Sequence, residues 1–251
     1  MGLYHCEGII LRTRIFGEAD RLVTLLTKEK GKIEAVARGA RRPRNRLVGV
    51  TQQFSYLRAL IFTGKDLDQL SQAELIKSFA PLRDDLLKMA YASWWAELLD
   101  TFLPVAEVNT DIFLFTLAGL VVLEQTADPM LLSRAFELRL LKYLGYNPVL
   151  DCCVRCRESA DGALVGFAPG EGGMLCRSCA DAQGELLIPV RPSALAALRD
   201  LYGTDLRVVA RQPVDPALGN ELGRLLFAFI QWRAEKPLKA LTFLQSLLVG
   251  R

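Results

Sequence analysis

The stretch Lys32-Ile33-Glu34-Ala35-Val36-Ala37-Arg38 alternates polar and apolar residues, as expected of a strand that buries one face. Four more segments have strand character: residues 8–14, 21–27, 54–62 and 67–75. The last two are separated by Thr63-Gly64-Lys65-Asp66, which is typical of a hairpin turn. Five strands in about 75 residues is the size of a small β-barrel, so we predict an OB-fold or an SH3-like barrel.

Beyond Pro81 the apolar period becomes helical. One stripe ends before Pro104 and comprises Leu82, Leu86, Ala90, Trp94, Leu98 and Phe102. Residues 111–126 are apolar nearly all round, which predicts a fully buried central helix. A further helix is predicted from Pro129 to Gly145. Later helices are expected at 192–202, at 216–234 and from Pro237 onward.

The residue inventory argues against an enzyme. The chain of 251 residues has a single histidine, His5, so a histidine-based catalytic centre would have to be built around the start of the chain. No GxSxG or GxxxxGK[ST] motif occurs, and no GxGxxG follows a strand-like run. The longest apolar stretch, 112–123, is shorter than the roughly 20 residues that a membrane span needs. With no signal-peptide pattern at the N-terminus, we expect a cytoplasmic protein that does not enter membranes.

Positive charge is concentrated near the N-terminus. Residues 1–80 carry 14 Lys and Arg against 8 Asp and Glu, whereas residues 81–251 carry 17 against 20. The densest stretch is the predicted loop 38–46, whose basic residues are Arg38, Arg41, Arg42, Arg44 and Arg46. Arginine grips phosphates with two hydrogen bonds and stays charged. We therefore predict nucleic-acid binding by these five arginines and Lys32, over the alternative of a loop that only aids solubility.

Aromatic residues near this loop bear on the type of nucleic acid. Base stacking on aromatic rings is typical of single-strand binding. Alternation along 54–62 sends Phe54, Tyr56 and Phe62 to one face, which we expect to be barrel core. Tyr4 and Phe16 lie near strand ends and are the better stacking candidates.

Four cysteines form the pattern C-x2-C-x19-C-x2-C: Cys153, Cys156, Cys176 and Cys179. Two such pairs can complete a tetrahedron around Zn²⁺, brought together by a hairpin of 164–167 and 170–175. Four thiolates leave no open position, so we predict a structural zinc site. Two disulfides are the alternative, and a cytoplasmic location disfavours them. Cys152 could replace Cys153, although the spacing favours Cys153.

These observations predict a multidomain α+β chain. We expect an N-terminal β-barrel of the OB-fold or SH3-like type that binds nucleic acid at 1–79, an α-helical domain formed by 80–150 and 190–251, and a zinc-binding insertion at 151–189.

Several stretches of the sequence resemble the bacterial RecO family. The N-terminal match comprises Gly17-Glu18-Ala19-Asp20-Arg21-Leu22-Val23-Thr24-Leu25-Leu26-Thr27, Gly31-Lys32-Ile33 and Ala37-Arg38-Gly39-Ala40-Arg41-Arg42-Pro43. The stretch Pro148-Val149-Leu150-Asp151-Cys152-Cys153-Val154-Arg155-Cys156 resembles the start of that family's zinc module.

The resemblance implies a recombination mediator of the RecF pathway that acts in DNA repair and is not an enzyme. Such a protein would bind single- and double-stranded DNA, anneal complementary strands, and work with RecR to help RecA replace single-stranded DNA-binding protein. It would be cytoplasmic and associated with the nucleoid. The resemblance also implies that the barrel at 1–79 is an OB-fold and that the insertion at 151–189 is zinc-finger-like. The family's basic barrel residues correspond to Arg38, Arg41 and Arg42, and its zinc cysteines to the four named above.

Two positions depart from the family pattern. Arg157 stands where a glycine often follows the second cysteine, and the segment 232–237 lacks a histidine often seen there.

An RNA-binding or transcription-associated zinc-ribbon protein is the alternative function from another class, and a zinc-dependent enzyme is a third hypothesis.

Overall fold

A closed five-stranded barrel forms the N-terminal part of the computed structural model, which describes residues 2–158, 164–182, 187–213 and 215–249. Its strands are β1 (Leu3–Phe16), β2 (Asp20–Thr27), β3 (Gly31–Ala37), β4 (Tyr56–Phe62) and β5 (Asp68–Lys77). The order is β1-β2-β3-β5-β4, and β4 closes the barrel against β1. Strands β3 and β5 run parallel, while the other neighbours are antiparallel. This is an OB-like barrel, as the sequence predicted.

The barrel interior is filled by alternate residues of each strand, including Val23, Leu25, Ala35 and Ala37. In β4 the buried positions are the odd-numbered ones, so the prediction that even positions face the core is wrong for that strand. The physical reason is Phe54, which is buried but has a φ of 70° and lies before the strand begins. The turn at Phe54 shifts the inward–outward alternation by one residue, so the even-numbered positions of β4 point away from the core and Phe62 is 38% exposed.

Four helices accompany the barrel in the chain: α1 (Leu47–Val50), α2 (Ala80–Asp84), α3 (Leu86–Phe102) and α4 (Thr110–Gln125). The predicted stripe from Leu82 is divided between α2 and α3 because Asp85 leaves helical geometry. Its carboxylate caps α3 by accepting hydrogen bonds from the backbone N–H groups of Leu87 and Lys88. Helix α4 is not fully buried as predicted, since Leu114 is 49% exposed.

The rest of the chain is built from helices and a small sheet. The helices are α5 (Met130–Tyr143), α6 (Arg177–Asp181), α7 (Pro192–Gly203), α8 (Leu206–Val209), α9 (Pro216–Arg233) and α10 (Lys239–Val249). The sheet contains β6 (Leu164–Ala168), β7 (Gly173–Cys176) and β8 (Ile188–Pro189), in the order β7-β6-β8. The predicted hairpin between the two cysteine pairs is therefore present. Parts of the predicted insertion, 159–163 and 183–186, lie outside the described residues.

Contacts divide the chain into two compact units. Unit 1 comprises Met1–Gln125 and Phe243–Arg251, and unit 2 comprises Thr126–Thr242. Helices α2, α3 and α4 group with the barrel, whereas the cysteine segment groups with α5 to α9. The domain limits at 79, 150 and 189 stay a prediction. Within the described part of the chain, no helix is long and apolar enough to span a membrane.

The core of unit 2 contains an ion pair. Arg134 and Glu137 on α5 are almost completely buried, and a guanidinium nitrogen lies 2.9 Å from a carboxylate oxygen. The Ser133 hydroxyl donates to the other oxygen of Glu137, and the Arg134 guanidinium lies over the ring of Phe227 at 4.3 Å. Each charge therefore has partners that offset the loss of water.

Candidate nucleic-acid interface and metal centre

The loop 38–46, here called the arginine loop, is held against the β1–β2 hairpin by hydrogen bonds. The backbone N–H of Gly39 donates to the Asp20 carboxylate at 2.7 Å. Arg41 donates twice to the turn of the hairpin, from its backbone to Ala19 O and from its side chain to Glu18 O, both at 2.9 Å. Within the loop, the Asn45 side chain donates to Arg38 O at 3.1 Å. The loop is thus a folded turn with a defined position at the end of the barrel.

The side chains of this loop make it a surface of one charge. Arg38, Arg41, Arg42, Arg44 and Arg46 are all exposed. Among the described residues, no carboxylate lies within 4.0 Å of any of the five guanidinium groups. Other barrel arginines are paired, as in Arg14 with Glu34 and Arg58 with Glu7. The arginine loop therefore projects positive charge toward solvent, which suits a polyanion.

Lys32, the sixth predicted contact, lies in a different environment. Lys32 is buried, with 8% of its surface exposed. Its ammonium group donates a hydrogen bond to Asp100 O at 2.5 Å and lies 3.4 Å from Asp100 Oδ1. Sequence reasoning could not see this pairing because the two residues are 68 positions apart. Because the Lys32 ammonium group connects β3 to α3 through these contacts, we do not include it in the interface proposed below.

The two stacking candidates also differ in the structure. The Tyr4 hydroxyl donates to the Asp68 carboxylate at 2.7 Å, and Lys30 lies 5.4 Å from the ring centroid. Burial, together with the bond to Asp68, raises the pKa of Tyr4 above its usual range. The ring packs against the barrel core, so it is engaged within the protein. Phe16, in contrast, is 42% exposed at the end of β1.

The four predicted cysteines come together in unit 2. The sulfurs of Cys153, Cys156, Cys176 and Cys179 all lie within 4.8 Å of one another, and those of Cys156 and Cys176 are 3.6 Å apart. The first pair lies on a tight turn in which Arg157 N donates to Cys153 O, while the second pair spans the junction of β7 and α6. Cys152 lies outside the group and is half-buried. These four cysteines could hold a metal ion.

Hydrogen bonds around the cysteines favour the thiolate of Cys153 and Cys176, whereas hydrogen bonding to Cys176 raises the pKa of Cys179 and hydrogen bonding to Cys153 raises that of Cys156. Burial raises the pKa of Cys153, but backbone N–H groups, that of Cys156 first, outweigh it and lower the pKa to about 6. The Ser178 hydroxyl and the N–H of Cys179 lower the pKa of Cys176. A thiolate is the metal-ligating state, so these donors favour it at one cysteine of each pair.

Arg157, which follows the first cysteine pair, occupies an unusual backbone conformation. Its φ is 62°, in the left-handed region that glycine adopts without strain. This conformation is a physical reason for the glycine that the family resemblance implies here, from which Arg157 departs. Its neighbour Arg155 forms a two-pronged ion pair with Glu171, with N–O distances of 2.7–3.0 Å.

Comparisons with known proteins agree with this architecture. Residues 1–79 match the family described as recombination protein O N terminal, and residues 83–242 match recombination protein O C terminal. A curated relative from Symbiobacterium thermophilum, named DNA repair protein RecO, is 44% identical over the whole of both chains. Relatives of the same name from Moorella thermoacetica and Heliobacterium modesticaldum are 35% and 36% identical, covering 98% and 100% of this chain and 92% of each relative. The chain therefore belongs to the RecO family of DNA repair proteins.

Proposed function

We propose that this chain is a recombination mediator that binds single- and double-stranded DNA through the arginine loop and anneals complementary strands. Together with RecR it helps RecA load on DNA coated with single-stranded DNA-binding protein. It acts in the cytoplasm at the nucleoid and is not an enzyme. The observation that carries this proposal is the set of five exposed arginines without acidic partners, in a chain whose relatives bear the name DNA repair protein.

Annealing by such a surface requires no bond-breaking chemistry. Two DNA strands repel each other through their phosphates, and arginines that neutralise phosphates release condensed counterions. A cationic loop therefore lowers the repulsion between strands held near it, and base pairing supplies the driving force. Because the contacts are to phosphates, binding is largely independent of sequence and weakens as salt rises.

We further propose that the four cysteines hold a structural Zn²⁺. Four Zn–S bonds of about 2.3 Å in tetrahedral geometry place the sulfurs roughly 3.8 Å apart, and the observed sulfur cluster fits that size. A bound zinc ion would offset part of the negative charge of the thiolates and would join the turn at 153–156 to the junction of β7 and α6. The site is closed by its four protein ligands, so it offers no position for a substrate.

The proposed function is tested by annealing complementary oligonucleotides precoated with single-stranded DNA-binding protein. The key variant is Arg42→Glu/Arg44→Glu, since no described residue makes a hydrogen bond to either side chain. The matched control is Arg207→Glu/Arg211→Glu, which makes the same charge change at two exposed arginines of unit 2. We expect annealing by the wild type and the control, and loss of annealing in the loop variant.

The salt dependence of DNA binding sharpens this test. Each single-strand phosphate contact contributes about 0.7 to the slope of log affinity against log salt, so losing two contacts lowers it by about 1.4. No annealing by folded wild type would overturn the mediator proposal, and a preference for RNA would favour the RNA-binding alternative. Annealing of bare but not coated strands would overturn only the part that involves single-stranded DNA-binding protein.

A further inference from the structure

We infer that Phe16, together with the outward-facing residues beside it at the hairpin end of β1, β2 and β3, forms a platform on which unpaired DNA bases stack beside the arginine loop. This inference rests on the proposed function and deepens it, because it makes the surface a single-strand site and names the residue responsible. Phosphate contacts by arginine do not distinguish an unpaired base from a paired one, whereas a ring that meets a base face does.

Strand register determines which side chains share this face. Phe16 pairs with Asp20 across the β1–β2 hairpin, and Arg14 pairs with Leu22. Leu22 in turn pairs with Val36 on β3. Directly opposed residues of antiparallel strands point to the same side, as do residues two apart along a strand. This end of the face therefore carries Phe16, Arg14, Asp20, Leu22, Val36 and Glu34, and the Glu34 carboxylate is paired with Arg14.

This face points away from the barrel core. The intervening residues Val23, Ala35 and Ala37 are completely buried and belong to the core cluster. Leu22 and Val36 are half-buried, and Phe16 is 42% exposed. A partly exposed apolar strip thus runs across three strands, with the aromatic ring at its end.

The arginine loop lies at the same end of the strands. Arg21 pairs with Ala37, the last residue of β3, and Arg38 follows it as the first residue of the arginine loop. Asp20, the partner of Phe16 across the hairpin, accepts the hydrogen bond from the backbone of Gly39, so the loop begins next to the Phe16–Asp20 pair. The hydrogen bonds from Gly39 and Arg41 to the hairpin hold the loop beside Phe16.

The chemistry of this arrangement selects its occupant. An exposed ring and apolar strip lie beside guanidinium groups that have no carboxylate within 4.0 Å among the described residues. This combination matches a ligand with flat apolar faces on a polyanionic backbone, which is single-stranded DNA. The face and loops of an OB barrel in this region are where the fold accommodates oligonucleotides. Duplex DNA presents the same phosphates but keeps its base faces stacked inside, so Phe16 gains nothing from it.

Affinities for three DNA ligands test the platform: oligothymidine, an abasic oligonucleotide of equal length, and a duplex. We expect the wild type to bind oligothymidine about 5- to 150-fold more tightly than the abasic strand for each stacked base. Phe16→Ala removes that difference and leaves abasic and duplex binding, and the salt slopes, unchanged. Phe16→Trp keeps the preference, and its added fluorescence over the wild type is quenched by oligothymidine.

The matched control is Ile15→Ala. Ile15 is the neighbouring residue, is 72% exposed, and pairs with Arg21 on the opposite face of the hairpin. The Ile15→Ala variant should therefore bind all three ligands as tightly as the wild type does. Equal loss on all three ligands in Phe16→Ala would show a role in shaping the loop and overturn the platform, as would no change on oligothymidine. Wild-type binding without any preference for oligothymidine refutes the platform alone, whereas absence of all DNA binding refutes the proposed function as well.

Discussion

The arginine loop of unit 1 and the cysteine cluster of unit 2 both gather groups of one charge, yet the surroundings of these groups differ. The five guanidinium groups are spread over nine residues and exposed, so water screens their repulsion. The four sulfurs lie within 4.8 Å of one another, and Cys153 and Cys176 are buried. Thiolates so close together would repel one another strongly without a cation between them. Exposure thus separates the loop that we propose for an external polyanion from the cluster that we propose to hold a metal.

The largest expected effect comes from removing the metal. Structural zinc contributes about 10 kcal/mol to folding in zinc-finger peptides, so Cys153→Ser or a strong chelator should release zinc and expose β6 and β7 to hydrogen exchange. Strands β2 and β3 of the barrel should keep their protection, because their core does not include the cluster.

Cys152→Ser is the matched control for that experiment, since Cys152 is adjacent to Cys153 but outside the cluster. It should retain one zinc per chain in a colorimetric release assay. Full protection of β6 and β7 in metal-free protein would remove the contrast between the two regions.

A smaller but still large effect is expected at the buried ion pair. Glu137→Gln leaves the Arg134 charge buried without its counter-charge, which should lower the free energy of unfolding by about 3–5 kcal/mol in a urea titration. Arg42→Ala, which removes an exposed arginine, should change it by less than about 0.5 kcal/mol. Similar losses of unfolding free energy in the two variants would mean that burial does not make the buried pair of Arg134 more important for stability than the exposed Arg42.

A third experiment tests whether the arginine loop depends on its shape as well as its charge. Gly39 has a φ of 67°, and a Cβ there would lie 2.5 Å from Asn45 Nδ2, the donor to Arg38 O. Gly39→Ala should therefore lower stability by about 1–2 kcal/mol and weaken DNA binding without removing a charge. Gly49→Ala is the control, because a Cβ at that position meets no atom within 4 Å. Unchanged DNA affinity in Gly39→Ala would show that charge alone suffices.

The smallest effect is expected at Arg157. Arg157→Gly relieves the left-handed backbone beside the cysteine cluster, and the gain is reduced by glycine's greater freedom in the unfolded chain. The metal-loaded protein should gain about 0.5 kcal/mol of stability, measured by thermal unfolding. A loss of stability would mean that the Arg157 side chain itself supports the module.

Local patterns account for the parts of the structure that the sequence predicted well. The alternation at 32–38, the cysteine spacing and the cluster of arginines each depend on residues near one another in the chain. Their outcomes, a half-buried strand, a sulfur cluster and an exposed loop, need little information from elsewhere. Predictions that assumed an uninterrupted pattern were less accurate. Phe54 interrupts the predicted strand alternation and Asp85 interrupts the predicted helical stripe, each through a local backbone conformation that hydropathy alone does not reveal.

The amino-acid sequence by itself therefore determined the barrel, the helical character of the remainder, the two spaced cysteine pairs and the positive charge of the loop. Only the tertiary structure decided that Lys32 forms an ion pair with Asp100, and that Tyr4 donates a hydrogen bond to Asp68 while Phe16 remains exposed. It also decided that Cys153 rather than Cys152 joins the cluster. The physical reason is that charge and hydropathy belong to each residue, whereas burial and pairing depend on partners brought together by the fold, here up to 68 positions away in the chain.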